Sequence, residues 1–440
     1  MSNEILQWQQ LSPQQQTDAL ARPAIADNST LSAQVSAIVE QVRTGGDQAL
    51  IELTEKFDAV KLSSLKVSQQ QINAAKASLT PERMAAIKMA FDQISRFHQA
   101  QYPTDIEVET TPGVTCILKS EAIESVGLYI PAGTAPLPST VLMLGAPAKI
   151  AGCKRSVLVC PPNKNGDIAP EILAAADLCE IDEIYAIGGA HAVAALALGT
   201  ESIKPVNKVF GPGNRYVTEA KKQMSQLVPG FAIDMPAGPS EVLVIADKNS
   251  NPAFVAADLL SQAEHGADSQ VVLLSDSLAM LEQVNEQLDI QLEQLSRKSI
   301  ARAALKESRL ILTTDLTQAA EVSNLYGPEH LIIQTDHNDA LLPKLRNAGS
   351  IFVGAYTPES AGDYASGTNH VLPTYGYSKV YSSLSLADFM RRYTVQSLTK
   401  QGLASISDCI IELTDAEGLD AHQRAVTIRL AEKNSPAEGK

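Results

Sequence analysis

The sequence predicts an α/β protein with two doubly wound domains of mostly parallel sheet and small helical segments at either end. Three observations carry this expectation. From about residue 124, short apolar runs of strand length alternate with helical stretches of roughly 10–15 residues, the pattern of βαβ units. The alternation comes in two blocks, joined by the run FAIDMPAGPSEVLVIAD. The chain, 440 residues at 45% hydrophobic and 19% charged, is long enough for roughly two to four domains whose cores need no staples.

Taken in order, the first 100 residues read as helices. Residues 33–57 carry Val35, Ile38, Val39, Val42, Leu50, Ile51, Leu53 and Phe57 at roughly helical spacing. Thr80-Pro81-Glu82-Arg83 is a helix start with proline at the first helical position. The first block then runs SVGLYIP, STVLMLGAPAKIAG, RSVLVC, PEILAAADLC, EIYAI, a helix opening at Gly188-Gly189, KVFGPG and RYVTEAKKQMSQL. In the second block AFVAADLLSQAEHG is helical, QVVLLSD, SRLILTT and HLIIQTD are extended, NDALLPKLRNAG is helical and SIFVGAY is extended. After Tyr381 the pattern is mostly helical, a stretch too short to fold alone with assurance, so it is expected to pack on another domain or subunit. The tail NSPAEGK is expected to fray.

Composition narrows the function classes. A net charge of 35 − 50 = −15 argues against a nucleic-acid or anionic-membrane partner. No run approaches the roughly 18 apolar residues of a membrane span. MSNEILQWQQ has neither a basic region nor an apolar core, so no signal peptide is expected and the location is read as cytoplasmic. Cys116, Cys153, Cys160, Cys179 and Cys409 are scattered, as expected of free thiols in a reducing compartment. A metal here would use histidine, carboxylate or amide ligands.

Few residues carry candidate chemistry. Gln262 and His265, three apart near a helix end, share a face with Asp258 and suit a metal; the same spacing suits an ordinary C-terminus with imidazole against the dipole. Glu329 and His330, in YGPEHL, diverge in an extended segment, so they would flank a substrate, one handling water and the other a hydroxyl proton. A solvated turn would look the same. Residues 359–373, ESAGDYASGTNHVLP, read as a polar loop at a strand end, with Asp363 and His370 as candidate ligands. Glu417 and His422 sit about a turn, with Asp420 as a candidate N-cap. The G-x-G-x-x-G fingerprint is absent. Three glycine-containing crossovers nevertheless offer helix amides to a phosphate: residues 127–138, Gly188-Gly189-Ala190-His191 and Gly211-Pro212-Gly213-Asn214. Each also reads as a plain βα turn.

The strings GLYIPAGTAPLPSTVLML, VFGPGN, AIDMPAGPSEVLVIAD, DLLSQAEHG, YGPEHLIIQT, ESAGDYASGTNHVLPT and LDAHQRAV together resemble the histidinol dehydrogenase family, across residues 20–430 or so. The resemblance implies oxidation of L-histidinol to L-histidine through the aldehyde with two NAD⁺, the last steps of histidine biosynthesis, by a homodimer with one Zn²⁺ per site. It implies Gln262, His265, Asp363 and His422 as zinc ligands, which also touch substrate, and Ser240, His330, His370 and Glu417 as substrate contacts. His330 is the implied general base and Glu329 the residue that activates water. Tyr129, His191 and Asn214 fall where the family contacts NAD. His191 departs from the family's usual glutamine, since GGAHA stands in place of GGAQA. A neutral imidazole still donates one hydrogen bond and accepts another.

The implied domains are an N-terminal helical segment at 1–26 and a discontinuous α/β domain at 27–127 with 238–381, which carries most metal and catalytic residues. A Rossmann-like nucleotide-binding domain at 128–237 follows, and a helical segment at 382–440 crosses to the partner subunit. The alternatives are a related dehydrogenase of another primary alcohol and a zinc-dependent hydrolase.

Overall fold

The computed structural model describes residues 4–22, 28–132, 136–235 and 238–431. The expected fraying tail, residues 434–440, lies outside these. The chain forms two compact units, Met1–Gln101 with Ile123–Phe389, and Tyr102–Ala122 with Met390–Lys440.

The larger unit holds two parallel sheets. The first has six strands, in the order Ile5–Gln7, Arg309–Leu312, Gln270–Ser275, Glu241–Ala246, His330–Gln334, Ser350–Val353. Glu241–Ala246 and Gln270–Ser275 are buried at every position, because helices cover both faces of the sheet. Val255, Leu259, Leu281 and Val284 pack on one face, and Trp8, Ala319, Val322 and Tyr326 on the other. From Glu241–Ala246 the chain steps outward through Gln270–Ser275 to Arg309–Leu312, then returns to the other flank with His330–Gln334. That reversal is a topological switch point.

The second sheet has five strands, in the order Glu183–Tyr185, Arg155–Val159, Ser125–Tyr129, Lys208–Phe210, Ala232–Ile233. Its switch point lies between Ser125–Tyr129 and Lys208–Phe210. The expected grouping placed 27–127 with 238–381, yet the N-terminal helices cover this five-stranded sheet instead. Asn28–Asp58 packs on Gly189–Leu198 and Arg215–Leu227, Gln69–Ser78 on Pro170–Leu178, and Pro81–Gln99 on Pro138–Ala151. The long helix Asn28–Asp58 bends at Gly46 (φ 52°), where an added Cβ would lie 2.2 Å from a Glu201 carboxylate oxygen. Glu201 uses that space to accept the Asp47 N–H at 2.8 Å. The helix Pro81–Gln99 starts with its proline first, as expected, and Thr80 caps it by accepting the Arg83 N–H.

Several expectations are corrected. The N-terminal segment is not all helical: Ile5–Gln7 is an edge strand of the six-stranded sheet, ahead of the helix Pro13–Ala19. Three residues are too few for a period to register in the sequence. The polar run 359–373 opens with a helix, Glu359–Tyr364, and NDALLPKLRNAG holds only the four helical residues Asn338–Leu341 before a 3₁₀ turn that begins Leu342-Pro343.

The smaller unit is a three-stranded antiparallel sheet, in the order Met390–Leu398, Val114–Ala122, Ile106–Thr111, with the helices Lys400–Glu417 and Asp420–Ala431 packed on each other. The strand Met390–Leu398 corrects the mostly helical reading after Tyr381. Its partner lies far back in the chain, and its alternating Arg392, Thr394 and Gln396 against Tyr393, Val395 and Ser397 carry little apolar contrast. Asp420 is the first residue of its helix and not its cap.

His191 is buried in the helix Gly189–Leu198. The Thr54 hydroxyl donates to Leu50 O at 2.8 Å, so at 3.3 Å it accepts from His191 Nε2–H. Nδ1 then carries a lone pair with no partner among the described residues. Burial pushes this imidazole down to about 4, from an ordinary value of about 6.5. The folded state therefore resists protonation that the unfolded chain accepts. The resulting stability is fully present above about pH 6.5 and is lost as pH falls toward 4. Between pH 7.5 and 5 the expected loss is roughly 2 kcal/mol. His191→Gln should remove that slope when urea midpoints are compared at the two pH values; an unchanged slope contradicts the buried neutral imidazole.

Candidate active site

Two neighbouring strands of the six-stranded sheet bring the candidate residues together at their amino ends. Helix Leu316–Tyr326 stops at Gly327 (φ 67°), and Pro328 leads into Glu329 and the strand His330–Gln334. The register sets His330 beside Val242, so Glu241 lies next to the Glu329–His330 pair. Glu241 N–H donates to Glu329 Oε2 at 2.8 Å, and Glu241 C=O lies 3.1 Å from His330 Nδ1. In its neutral form His330 thus donates from Nδ1 and keeps the Nε2 lone pair. Nε2 is buried, without a hydrogen-bond partner among the described residues, and 3.7 Å from Asp363 Oδ1. That separation is too long for a direct hydrogen bond. Glu329 Oε2 lies 3.7 Å from His330 Nδ1, so the two side chains meet over one backbone group instead of merely diverging. Ligands usually gather at the carboxyl ends of parallel strands. Here the switch point is used, but from the opposite edge.

His265, Glu359 and Asp363 present ligand atoms that all lie within 4.8 Å of one another. The short helix Glu359–Tyr364 makes this cluster, because i and i+4 share a face. Gly362 lets that helix lie on Phe352, whose ring an added Cβ would meet at 2.5 Å. Gln262 lies in the helix Pro252–Ala263 and His265 just beyond its end. With its amide turned to satisfy both ends, Gln262 donates to Glu359 Oε1 and accepts the Glu241 N–H at 2.9 Å. His370 Nδ1 lies 3.1 Å from Asp363 O, and its Nε2 3.3 Å from Thr140 Oγ1 at the start of helix Pro138–Ala151. Asn369 fixes that loop by donating to Met143 O at 2.7 Å. Ser240 precedes the Glu241 strand, and its carbonyl accepts the Gln270 N–H at 3.2 Å.

Burial and crowding set the charges. Burial pushes Glu329 up to about 8 and raises Glu359 as well. For His330 burial opposes a charge, but Glu359, Glu329 and Asp363 outweigh it and hold the imidazole well above the usual histidine range. Asp363 is desolvated too, yet His330 beside it keeps its carboxyl low. The donors are nitrogen and oxygen and are crowded together, which fits a divalent cation such as zinc.

The expected nucleotide residues gather at the carboxyl edge of the five-stranded sheet, at its switch point. The Tyr129 hydroxyl accepts the Gly189 N–H at 3.1 Å. Gly211 (φ 118°) passes so close that an added Cβ would lie 2.1 Å from Tyr129 O. A buried pair holds this turn: Lys221 Nζ donates to Gly211 O at 2.5 Å and Asp234 Oδ1 at 2.7 Å, while Asp234 Oδ2 accepts the Gly211 N–H at 2.8 Å. Asn214 Oδ1 caps the helix Arg215–Leu227 through the Tyr216 and Val217 N–H groups, so a ligand contact would come through Nδ2. The switch point of a parallel sheet, at the carboxyl ends of its strands, is where this class of fold takes a dinucleotide.

Glu417 and His422 belong to the smaller unit, on either side of the left-handed Gly418. Sequence reasoning missed Glu359, Glu241 and Arg22. Glu359 had a signal, since it stands four residues before Asp363. Arg22 and Glu241 had none, because their importance lies in contacts between distant segments.

Known proteins resemble this chain over almost all of its length. The family model described as histidinol dehydrogenase matches residues 21–430. Histidinol dehydrogenase of Colwellia psychrerythraea is 71% identical over 432 residues, 98% of this chain and 100% of the relative. That of Vibrio vulnificus is 57% identical over 428 residues, covering 97% and 98%. The crystal structure of histidinol dehydrogenase from Elizabethkingia anophelis superposes with a TM-score of 0.93 at 47% identity, covering 98% of both chains. Shared sequence and shared fold agree from end to end, and the chain belongs to the histidinol dehydrogenase family.

Proposed function

We propose that this chain, an oxidoreductase acting on a CH–OH group, carries L-histidinol through the aldehyde to L-histidine, using NAD⁺ as the hydride acceptor. The observation that carries the reading is the pairing of Glu329 and His330 over Glu241, with His330 Nε2 buried and unpartnered beside Asp363. Such a nitrogen is suited to take a proton once a cation in the neighbouring cluster offsets the carboxylates that otherwise keep the imidazole charged.

Zinc would be held by Gln262, His265, Asp363 and the partner chain's copy of His422, and when bound it supplies a fixed positive charge for the amine and imidazole of the substrate. NAD⁺ would lie along Tyr129, His191 and Asn214, in the 128–237 domain, and when bound it accepts the hydrides.

The residues of the chain do the rest. His330 takes the hydroxyl proton at Nε2 as the carbinol hydrogen leaves as hydride. Glu329 takes a proton from water as its oxygen adds to the aldehyde, and His330 returns its proton to the former carbonyl oxygen, which frees Nε2 again. His330 then takes a hydroxyl proton of the hydrate as the second hydride leaves. Ser240 and His370 orient the substrate, and Glu417 faces its cationic amine. Glu417 and His422 come from the partner of a homodimer, so two chains complete each site. The enzyme is read as cytoplasmic; among the described residues no helix is long and apolar enough to cross a membrane. Histidinol-dependent NADH formation tests the reading, and its absence in zinc-loaded protein overturns it.

Three further outcomes are expected. A chelator should abolish activity without unfolding, because both parallel sheets have cores independent of the ligand cluster; His265→Asn should lose bound metal and activity together. Full activity with no bound metal removes the ligand assignment.

Glu329→Gln should depress oxidation of the aldehyde far more than the first hydride step. His330→Asn should slow both by roughly 10²–10⁴. Alcohol and aldehyde, assayed as separate substrates, check this; equal losses in both steps for Glu329→Gln refute the division of labour.

Chains carrying His422→Ala and chains carrying His330→Asn should each be nearly inactive alone. Refolded together in equal amounts, they should recover roughly a quarter of wild-type activity, because half the dimers are mixed and each mixed dimer has one intact site. No recovery with mixed dimers present would place His422 in the site of its own chain.

A further inference from the structure

Arg22 lies far from Glu329 and His330 in sequence, yet its contacts converge on the same backbone. Its guanidinium pairs with both carboxylate oxygens of Glu241, at 2.9 Å from Nη2 to Oε2 and through Nε to Oε1. Nη2 also donates to Tyr326 O and Gly327 O, each at 3.1 Å. Those carbonyls end the helix that delivers Pro328, Glu329 and His330. The guanidinium lies 4.0 Å over the Tyr326 ring. The Tyr326 hydroxyl donates to Gln270 Oε1 at 2.8 Å, and Gln270 Nε2 returns to Ala21 O at 3.1 Å. The neighbour of Arg22 is therefore tied to the same sheet.

Glu241 is the other half of the device. Its side chain is 2% exposed, so it needs a fixed counter-charge. Its Oε1 accepts the Tyr375 N–H at 2.9 Å, in the loop that carries His370. Its backbone N–H holds Glu329 and its carbonyl holds His330 Nδ1. One residue thus meets Arg22 with its side chain and both Glu329 and His330 with its main chain. The same arginine grips the turn that feeds those two residues into the strand.

We propose that Arg22 is a positioning residue of the active site: its fork fixes Glu241 and the 326–327 turn together, and so fixes the separation of the Glu329 carboxylate from the His330 ring. The proposal rests on the histidinol-oxidising reading. A planar five-donor group is required, because two carboxylate oxygens and two carbonyls are held at once. A lysine keeps the charge and loses the fork. A positioning role predicts loss of turnover in both hydride steps, since His330 serves both, with little change in substrate affinity or metal content.

The test uses the zinc-loaded dimer with Arg22→Gln, Arg22→Lys, Glu241→Gln and the Arg22→Gln/Glu241→Gln double variant. Steady-state kinetics are measured with histidinol and with the aldehyde, well below each variant's Tm, and metal content is measured alongside. The expected result is a fall in kcat of roughly 10- to 100-fold for Arg22→Gln on both substrates, with KM and bound zinc within about twofold of wild type. Arg22→Lys should be intermediate. The double variant should be no slower than the slower single, because the two residues act as one unit. A kcat for Arg22→Gln within about twofold of wild type, even with a lowered Tm, overturns the positioning role. If Arg22→Gln does not fold, a folded Arg22→Lys with wild-type kcat overturns it equally. Wild-type enzyme that forms no NADH from histidinol overturns the reaction assigned to the site, whereas an active wild type matched by its variants overturns only the role of Arg22.

Discussion

The parallel pairing of Glu241–Ala246 with His330–Gln334 is the constraint on which the site depends. With His330 in register against Val242, the peptide groups of Glu241 fall between a carboxylate and an imidazole. Slipping the register by one residue would turn His330 to the opposite face of the sheet and separate it from Asp363. Such a slip is opposed by two apolar faces, since every residue of both strands is buried. The hydrophobic core therefore acts on the chemistry through register, and its precision reaches the reacting groups without a flexible loop in between.

Much of this was legible in the sequence and some was not. The βα rhythm, the two parallel sheets, the helix start at Thr80-Pro81 and the glycine turns at Gly188 and Gly211 are local signals, each written within about ten residues. Glu329, His330, Asp363 and His370 stand out in short polar strings, and the fold draws them together. What escaped was non-local. The strand Met390–Leu398 is paired with residues far upstream, and the grouping of the N-terminal helices with the five-stranded sheet is decided by which apolar faces meet. The helix that sets Glu359 beside Asp363 is six residues long and rich in glycine and serine neighbours, so propensity marks it as a loop.

Crowded acid at the centre of an acidic protein has a physical cost that is met in three different ways. Glu241 is matched by Arg22, Glu329 by a backbone N–H, and Asp363 by His330. Glu359 has the least: an amide donor from Gln262, and His330 at 3.9 Å. Buried carboxylates with so little compensation favour a proton or a cation. The cluster is in this sense incomplete by itself, while the sheet that carries it is not. At the other sheet the opposite solution holds, with Lys221 and Asp234 neutralising each other around one turn.

The antiparallel sheet of the smaller unit has a consequence for how the chain emerges from a ribosome. Arg391 pairs with Glu121 across 270 positions of sequence, and the strands Ile106–Thr111 and Val114–Ala122 are made long before their third partner. At ordinary rates of synthesis the gap lasts on the order of tens of seconds. Throughout that interval the nascent hairpin shows a free edge along Val114–Ala122, and a two-stranded ribbon is only marginally stable in water. Both parallel sheets receive their last strand before Met390 is added. The order of translation thus completes both parallel sheets first and closes the small sheet last, so the exposed edge of an unfinished hairpin is the point at which newly made chains are most open to mispairing with one another.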